Sequence, residues 1–386
     1  MIKVRDAFQC CGCEACAQRC PRGCIEMKAD QEGFYYPMVN EAECIDCGLC
    51  DKVCAMQVKT DLNENVMPKA YVAFAKDNEI RKKSSSGGLF TVLASAVIKQ
   101  NGCVFGAVMS EDCKTVFHAK AQNQQELEAM CGSKYVQSRI LDTYKCVEQE
   151  LIKCRMVLFS GTPCQVEGLK AYLDRDYQNL ICIDLICHGV PSPKLWKKYV
   201  EHREHCAGAS VRRTFFRYKK YGWKEYSVLF KFSNNMEYEH IFSRDVFGQM
   251  FLQNICLRPA CYKCSFKKLH HKSDVTLADF WGCRNIYPEL DDNKGLSLVL
   301  VHSDKGDGLL EQTSQQIVIK PLNEGWIKWN KAIIQSASRP KSRDYFFEKI
   351  DEKSIGWLAM KYLPIKGKIL MVIPITLKNR IKNLMK

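Results

Sequence analysis

Two cysteine runs near the N-terminus constrain this chain more than any other feature of its sequence. The first run has the spacing Cys-x2-Cys-x2-Cys-x3-Cys-Pro, and the second has the same spacing without the final proline. Three cysteines at such short intervals wrap around one 4Fe–4S cluster, and in proteins with two such clusters the fourth cysteine of each run binds the other cluster. The spacing therefore predicts two clusters, one bound by Cys10, Cys13, Cys16 and Cys54, the other by Cys44, Cys47, Cys50 and Cys20.

Zinc and disulfide interpretations explain these eight cysteines less well. A zinc site takes four ligands, usually from two short cysteine pairs or from one pair with histidines, so two complete runs supply too many. A disulfide framework requires an oxidising compartment, whereas the opening residues Met1–Asp6 lack the apolar core of a secretory signal. One departure from the ferredoxin pattern is Ala55 after Cys54, where proline is expected, and Cys11 and Cys24 lie nearby as competing ligands.

Length, cysteine content and charge limit the class of protein. The chain has 386 residues, 23 cysteines and a formal net charge of +14. This length predicts two or three domains, and so many thiols without a secretory signal indicate a reducing, cytoplasmic setting. Thiolate-bound clusters are anionic, so they balance part of the basic excess. The remainder favours an anionic substrate, an acidic partner or a phospholipid surface.

The sequence predicts the fold class α+β with three parts. Residues 1–60 form a small ferredoxin-like domain with two clusters, which compensate for a small apolar core. A polar linker leads to residues 69–350, where strand-like and helix-like segments alternate as in an α/β-type domain. Residues 351–386 form a basic, apolar C-terminal tail.

Short apolar runs in the body predict strands, and longer periodic runs predict helices. The predicted strands are 71–75, 103–109, 116–121, 156–160 and 180–187, the predicted helices are 89–100, 166–173 and 191–205, and a hairpin is predicted over 226–242. The longest strongly apolar stretch near the end, 369–377, is much shorter than the roughly 20 residues of a membrane-spanning helix.

A Ser/Gly loop, Ser84–Gly88, precedes the predicted helix at 89–100 and follows the bases Arg81–Lys83. Backbone N–H groups in such a loop at a helix N-terminus bind anions, which indicates a phosphate of a nucleotide cofactor. An ordinary capped helix start explains the same residues. The chain lacks the glycine fingerprints of a standard dinucleotide fold and of a P-loop.

Further cysteines follow two of the predicted strands or form a Cys-x2-Cys pair. Because ligands bind at the carboxyl ends of strands in α/β sheets, these thiols could converge on a third 4Fe–4S cluster. They are Cys164, Cys187, Cys261 and Cys264. Isolated cysteines are usually small buried apolar residues, and this interpretation is given to Cys103, Cys146, Cys154, Cys182, Cys256 and Cys283.

Several motifs in a fixed order resemble the coenzyme F-420 hydrogenase/dehydrogenase beta-subunit family. The resemblance covers about residues 69–350 and is carried by 84–90, 132–138, 159–165, 187–192, 257–264 and 274–282. It implies an iron–sulfur flavoprotein in which FAD lies between a 4Fe–4S cluster and a substrate that exchanges hydride. In founding members that substrate is a deazaflavin, and many relatives stand beside polysaccharide genes without an assigned substrate.

The same resemblance implies roles for individual residues. It makes Ser85, Ser86, Gly87 and Gly88 the phosphate cradle for FAD, places Gly132, Ser133, Lys134 and Tyr135 along the flavin, and places Gly161, Thr162 and Gln165 near its ring or the neighbouring cluster. It also favours the third cluster on the four body cysteines. Lys134 would adjust the flavin by placing positive charge near the ring. A solvent-facing lysine is the alternative.

We therefore expect an oxidoreductase that uses 4Fe–4S clusters and FAD to act on a small organic substrate. Clusters carry single electrons, and a flavin converts them into a two-electron transfer. The alternative is a non-catalytic electron-transfer subunit that serves a redox protein partner. No catalytic acid or base can be assigned, and His188 is interpreted as structural.

Two basic segments suggest other partners. Arg212–Lys224 mixes basic and aromatic residues as nucleic-acid surfaces do, but we interpret it as the outer face of a strand pair and expect no nucleic acid to bind. The tail after Glu352 combines seven lysines or arginines from Lys361 onward with apolar residues. Such a segment is typical of peripheral contact with an anionic membrane face, and packing against the domain is the alternative.

Overall fold

The computed structural model describes residues 1–57, 67–365 and Lys368, and these residues form three β-sheets. The strands are β1 (Ile25–Ala29), β2 (Tyr35–Val39), β3 (Lys69–Ala75), β4 (Cys103–Met109), β5 (Val116–Ala121), β6 (Val157–Ser160), β7 (Leu180–Leu185), β8 (Val211–Tyr218), β9 (Ser227–Phe232), β10 (Glu237–Ile241), β11 (Val275–Asp279), β12 (Ser297–Val301) and β13 (Ile317–Leu322).

Helices cover these sheets. They are α1 (Ala15–Arg19), α2 (Leu49–Lys52), α3 (Asn78–Lys83), α4 (Leu89–Lys99), α5 (Gln124–Met130), α6 (Thr143–Ile152), α7 (Pro163–Leu173), α8 (Pro193–Ala207), α9 (Val246–Leu252), α10 (Cys283–Ile286), α11 (Asp304–Gln312), α12 (Arg343–Glu348) and α13 (Ile355–Tyr362).

The largest sheet has eight strands in the order β13-β3-β12-β11-β7-β6-β4-β5. Its centre is parallel, because β11, β7, β6 and β4 pair in parallel, whereas the strands on either side pair antiparallel. Strands covered on both faces are continuously apolar, and Val157, Leu158 and Phe159 of β6 are completely buried. This mixed sheet is consistent with the predicted α+β class.

A three-stranded antiparallel sheet, β10-β9-β8, packs beside the large one. Its core is aromatic: the ring of Trp196 on α8 lies 4.5 Å from Phe216, 5.7 Å from Phe230 and 5.0 Å from Phe247. The indole N–H of Trp196 donates a hydrogen bond to the carbonyl of Cys113 at 2.8 Å. The indole therefore ties this sheet to the loop between β4 and β5.

Residues 1–57 form a small unit with its own minor core and a large contact with the body. That core contains Ile2, Cys24, Ile25 and Cys50. Cys11, Cys13 and Ala15, in contrast, are buried in the same apolar cluster as α6 and α7. The unit is therefore packed into the body, and its ferredoxin-like character stays a prediction.

Polar contacts fix the same boundary. The buried carboxylate of Glu14 pairs with Arg139 and accepts the backbone N–H of Ile140, and the side chain of Gln18 accepts the backbone N–H of Tyr144 at 2.9 Å. At the other end, the guanidinium of Arg343 forms a two-point ion pair with Glu32. Because the buried charges of Glu14 and Arg343 are paired across this boundary, they help to specify one docking arrangement.

The structure confirms the predicted body elements to within a few residues at their ends, including the hairpin β9–β10. The expectation that all isolated cysteines are buried is wrong for Cys146 and Cys154, which are exposed, because each lies on the solvent side at α6 or just after it. Cys103, Cys182, Cys256 and Cys283 are buried.

The start of the predicted tail packs against the body: Ile355, Leu358, Ala359 and Leu363 are buried in the core of the smaller sheet. The rest, residues 366–367 and 369–386, lies outside the described residues, so membrane contact stays a prediction. Within the described residues, no helix is both long and apolar enough to cross a membrane.

Candidate functional site

The carboxyl ends of the parallel strands meet at one edge of the large sheet. The loop after β6 leads into α7, where the side chains of Thr162 and Gln165 form a capping box. This box fixes Cys164 in the first helical turn. The loop after β7 carries Cys187 and His188 to the same edge, which is the usual ligand position in open α/β sheets.

The four body cysteines line one cavity at this edge, which we call the inner cavity. Cys164 comes from α7 and Cys187 from the loop after β7, while Cys261 and Cys264 come from a short 3-10 turn after Pro259. Cysteines from three segments that are far apart in the sequence are thus brought together by the fold, as predicted. Their role as cluster ligands stays a prediction.

The N-terminal cysteines separate into two further groups. One cavity, the middle cavity, is lined by Cys10, Cys13, Cys16 and Cys54. The other, the outer cavity, is lined by Cys20, Cys44, Cys47 and Cys50. These are the two sets that the crossover rule for paired clusters predicts. Cys24 also lines the outer cavity, with its sulfur 3.4 Å from that of Cys20.

The three cavities follow one another through the molecule. The middle and inner cavities share Cys11, Met56 and Ser265 in their walls, and the thiol of Cys11 interacts with those of Cys13 and Cys164. Cys16 and Cys54 of the middle cavity pack in the same small core as Cys20, Cys44 and Cys50 of the outer cavity. A continuous path therefore runs from the N-terminal unit to the edge of the large sheet.

The pKa values of these thiols suit ligation of a positively charged iron–sulfur core. Burial raises the pKa of Cys187 to about 12 and the pKa of Cys54 to about 11, so an unassisted thiolate is unfavourable at either position. Hydrogen bonds from Cys11 and Thr162 act in the opposite direction and lower the pKa of Cys164. Metal ligation drives such thiols to the thiolate form.

The arrangement also distinguishes between kinds of metal centre. Within residues 1–57 and 67–365, no three His, Cys, Asp or Glu side chains are grouped so as to hold a single metal ion. The cysteines instead stand around cavities. The four ligands of a 4Fe–4S cluster surround a group of eight atoms, and cysteines around a cavity fit that kind of ligation.

Comparison with known protein families agrees with this geometry. The profile of the coenzyme F420 hydrogenase/dehydrogenase beta subunit N-terminal region matches residues 70–145, and that of the C-terminal region matches residues 154–324. Together they span most of the body. The chain belongs to the coenzyme F420 hydrogenase/dehydrogenase beta subunit family.

One curated protein and one solved structure are also similar to parts of this beta-subunit family member. The chain is 25% identical over 173 residues to a coenzyme F420-dependent sulfite reductase of Methanocaldococcus jannaschii, a match over 44% of this chain and 26% of that protein. It thus spans about a quarter of that relative. A chain of the F420-reducing [NiFe] hydrogenase complex from Methanosarcina barkeri superposes with a TM-score of 0.49 and 17% identity, over 75% of this chain and 95% of that one.

The predicted phosphate cradle of this family member lies beside the amino end of β12. Ser86 Oγ donates to the carbonyl of Leu296 at 2.8 Å, and the N–H of Gly87 donates to Ser297 Oγ at 3.0 Å. The N–H of Ser133 donates to Ser85 Oγ at 2.6 Å. The structure therefore joins the Ser/Gly loop to the 132–135 segment, and the family resemblance implies that both contact the same cofactor.

The other residues assigned to the flavin fall into two environments. The half-buried Lys134 donates to the carbonyls of Met130 and Gly132, and burial lowers its pKa to about 8. The ring of Tyr135 stacks 4.8 Å from Phe251, which in turn lies 5.1 Å from His188 at the inner cavity. The aromatic side chains thus connect the cradle side with the cysteine side.

Two bases, one on β8 and one just after it, face inward, which the sequence did not predict. The segment was predicted to be an outer face, which is wrong for Arg217: its side chain is only 5% exposed and pairs with Asp279. Lys219 donates to the carbonyls of Arg81, Ser86 and Lys294, and so holds the Ser/Gly loop. A run of bases contains no signal for which ones turn inward, because that depends on the register shift in β8.

Sequence analysis also gave no role to Arg258 and noted Cys11 only as a competing ligand. Arg258 is completely buried and lines the inner cavity, and Cys11 lies in the wall between two cavities. The cysteine spacing could have suggested Cys11, since it adjoins Cys10. The sequence alone offered no sign that Arg258 is buried.

His118 packs against β6 and contacts the start of the loop that follows it. Its ring stacks on Phe159 with centroids 5.3 Å apart, and Nε2 lies 3.0 Å from the carbonyl oxygen of Ser160, directly before Gly161. Burial lowers the pKa of His118 to about 4. The folded protein therefore keeps this imidazole neutral at physiological pH.

Acidification should destabilise the protein through His118. The unfolded histidine has a pKa of about 6.5, so between that value and about 4 the unfolded chain binds a proton that the folded protein does not bind. Stability from this residue is complete above pH 6.5 and is lost as the pH falls. In anaerobic denaturant unfolding, His118→Gln should show a shallower decline from pH 7 to 5 than the wild type.

The matched control is His205→Gln, since His205 is an exposed histidine near the end of α8. Its pH dependence should follow that of the wild type. Parallel declines for the wild type and His118→Gln would contradict the assignment of a buried neutral imidazole.

Proposed function

We propose that the protein is an iron–sulfur flavoprotein oxidoreductase that exchanges electrons between three 4Fe–4S clusters, FAD and a two-electron organic substrate. Residues 1–60 form the ferredoxin-like domain with two clusters, and residues 69–350 form the flavin domain with the third. We place it in the cytoplasm, where thiols stay reduced. The observation that carries this proposal is the shared wall of the middle and inner cavities, formed by Cys11, Met56 and Ser265.

The cysteine sets support the three clusters. Each cavity is lined by the four cysteines of one proposed ligand set and by one further cysteine, Cys11 or Cys24, which fits the all-thiolate ligation of 4Fe–4S centres. Cys47 of the outer set is exposed, whereas Cys164, Cys187 and Cys261 are partly buried. Electrons would therefore enter or leave through the outer set and reach the sheet edge through the other two.

The Ser/Gly loop supports the FAD site. A Cβ atom on Gly87 would lie 2.6 Å from the carbonyl oxygen of Ala73, so the backbone approaches its neighbours too closely for any other residue. Gly88 has φ +91° and starts α4 without a side-chain cap. The first N–H groups of α4 are thus available to a phosphate.

Arg217 adds a cationic donor on the same side. Its Nε and Nη2 atoms have no hydrogen-bond partner among the described residues, although the side chain is buried. Lys219, two residues further on, binds the carbonyl of Ser86 in the loop. An anionic cofactor would satisfy these donors, and FAD, when bound, supplies the conversion between one-electron and two-electron transfer.

The names of the relatives suggest the substrate class. The matched sulfite reductase is F420-dependent, and coenzyme F420 is a deazaflavin that exchanges hydride. We infer that the substrate of this chain is a deazaflavin-like molecule or a polysaccharide-pathway compound of similar redox chemistry. The aromatic side chains of Tyr135, Phe242 and Phe251 near the cradle would pack against a planar ring.

Iron content tests the third cluster. The anaerobically purified wild type should contain about 12 iron atoms per chain, and Cys164→Ser should contain about 8, because only the inner set loses a ligand. Cys182→Ser is the matched control, since Cys182 is completely buried but lines none of these cavities. It should keep the wild-type content. Unchanged iron in Cys164→Ser, or zinc in place of iron, would refute the inner cluster.

Flavin content tests the cradle. Gly87→Ala should lose bound flavin and keep its iron, because the added methyl group collides with the backbone of β3. Gly308→Ala is the control, since a Cβ at that position meets no atom within 4 Å. Flavin is measured by absorbance after denaturation. Full flavin loading in Gly87→Ala would place the cofactor elsewhere.

Turnover distinguishes the enzyme from the electron-transfer subunit. The exposed Cys47 and the 62% exposed Ile45 beside it favour contact with a protein partner, so both roles are open to test. With a reduced viologen as donor, the isolated full-length chain should reduce a deazaflavin, and Cys164→Ser should not. Reduction that occurs only after a partner protein is added would favour the subunit role.

A further inference from the structure

Arg258 lies between the middle and inner cavities without exposed surface. Its Nε donates to the carbonyl of Cys10 at 2.8 Å, Nη1 to Gln137 Oε1 at 3.0 Å, and Nη2 to the carbonyl of Tyr35 at 2.9 Å. Nη2 also lies 3.5 Å from Cys10 Sγ. One side chain from the body thus holds two segments of the N-terminal unit.

The partners of Arg258 are neutral groups or thiols. In the described part of the chain, no carboxylate forms an ion pair with it. The neighbouring ionisable groups that raise its pKa are Cys10, Tyr36, Cys11 and Cys261. The rings of Tyr36 and Phe34 cover it at 4.3 and 5.5 Å. A buried charge without a counter-charge is costly, so the anionic partner must be the thiolates themselves.

A second arginine at the same boundary shows the difference. Arg343 is equally buried, at 1% exposure, and also joins the body to the N-terminal unit. Its charge, however, is neutralised by Glu32 through two hydrogen bonds. Docking alone therefore requires no unpaired cation, and the missing carboxylate at Arg258 points to a different role.

Gly12 makes room for this guanidinium. A Cβ atom at Gly12 would lie 2.7 Å from both Arg258 Nη1 and Gln137 Nε2, and the residue has φ +72°. The loop between Cys10 and Cys13 thus closes around Arg258. A hydrogen bond to a ligand sulfur and a fixed positive charge are two of the means by which proteins raise cluster potentials.

We propose that Arg258 raises the reduction potentials of the middle and inner clusters through its buried positive charge. This inference rests on the proposed function. Each reduction adds one electron from a one-electron donor, and hence one negative charge, to a cluster. The guanidinium stabilises that charge because it contacts Cys10 on one side and interacts electrostatically with the thiols of Cys164 and Cys261 on the other.

The test is a redox titration of the full-length holoprotein, with dithionite as reductant and electron paramagnetic resonance as the readout. Arg258→Gln and Arg258→Met should lower two of the three midpoint potentials. We expect the ratio of oxidised to reduced cluster at a fixed potential to rise at least tenfold, which corresponds to about 59 mV for one electron. The outer cluster should keep its potential and serves as the internal reference.

Two further variants separate charge from packing. Arg258→Lys retains the charge and should restore most of the potential. Arg343→Met removes the other buried arginine and should leave all three potentials unchanged, even if it loosens the docking. If neither neutral variant retains its clusters, Arg258→Lys decides: potentials near those of the wild type support the proposal, and potentials lower by about 59 mV or more, a tenfold change in the ratio, overturn it.

The outcomes distinguish this inference from the proposed function. A wild type with fewer than three reducible clusters refutes the proposed function and this inference with it. Three clusters in the wild type with unchanged potentials in Arg258→Gln overturn this inference alone. An equal shift in Arg343→Met also overturns it, because a purely structural role would explain both.

Discussion

The structure depends on a close approach between the loop Cys10–Cys13 and the body. Two glycines permit it: a Cβ at Gly168 on α7 would lie 2.8 Å from Cys13 Cβ, and a Cβ at Gly12 would lie 2.7 Å from Arg258 Nη1. Larger residues at either position would push the N-terminal unit outward. Electron transfer needs short distances. In the proposed function, this contact therefore decides whether electrons can pass between the N-terminal clusters and the body.

The body in turn brings its own groups to the same edge of the large sheet. The parallel strands β6 and β7 point their carboxyl ends toward the inner cavity, and the Ser/Gly loop lies beside the amino end of the antiparallel strand β12, which is at the same edge. The inner-cavity cysteines and the phosphate cradle therefore lie at the same edge of the large sheet. Tyr135, Phe251 and His188 fill the space between them. The proposed order of cofactors follows from this shared border.

The sequence predicted local features well where a short pattern has one structural solution. The runs Cys10–Cys20 and Cys44–Cys54 divide into the two sets that the crossover rule requires, and the helix after Gly88 begins where expected. It failed where orientation depends on distant neighbours. Arg217 turns inward to Asp279 because of an irregular register in β8, and Cys146 stays exposed, although isolated cysteines are usually buried.

The sequence by itself determined the candidate ligand cysteines, the alternation of strands and helices, and the resemblance to the beta-subunit family, because each of these is encoded in short motifs. Only the tertiary structure decided that Cys11 lies in the wall between two cavities and that Arg258 is buried there without a carboxylate. The reason is physical: both facts depend on contacts between segments about 250 residues apart. No local pattern specifies such a contact, since its free energy comes from the packing of the whole molecule.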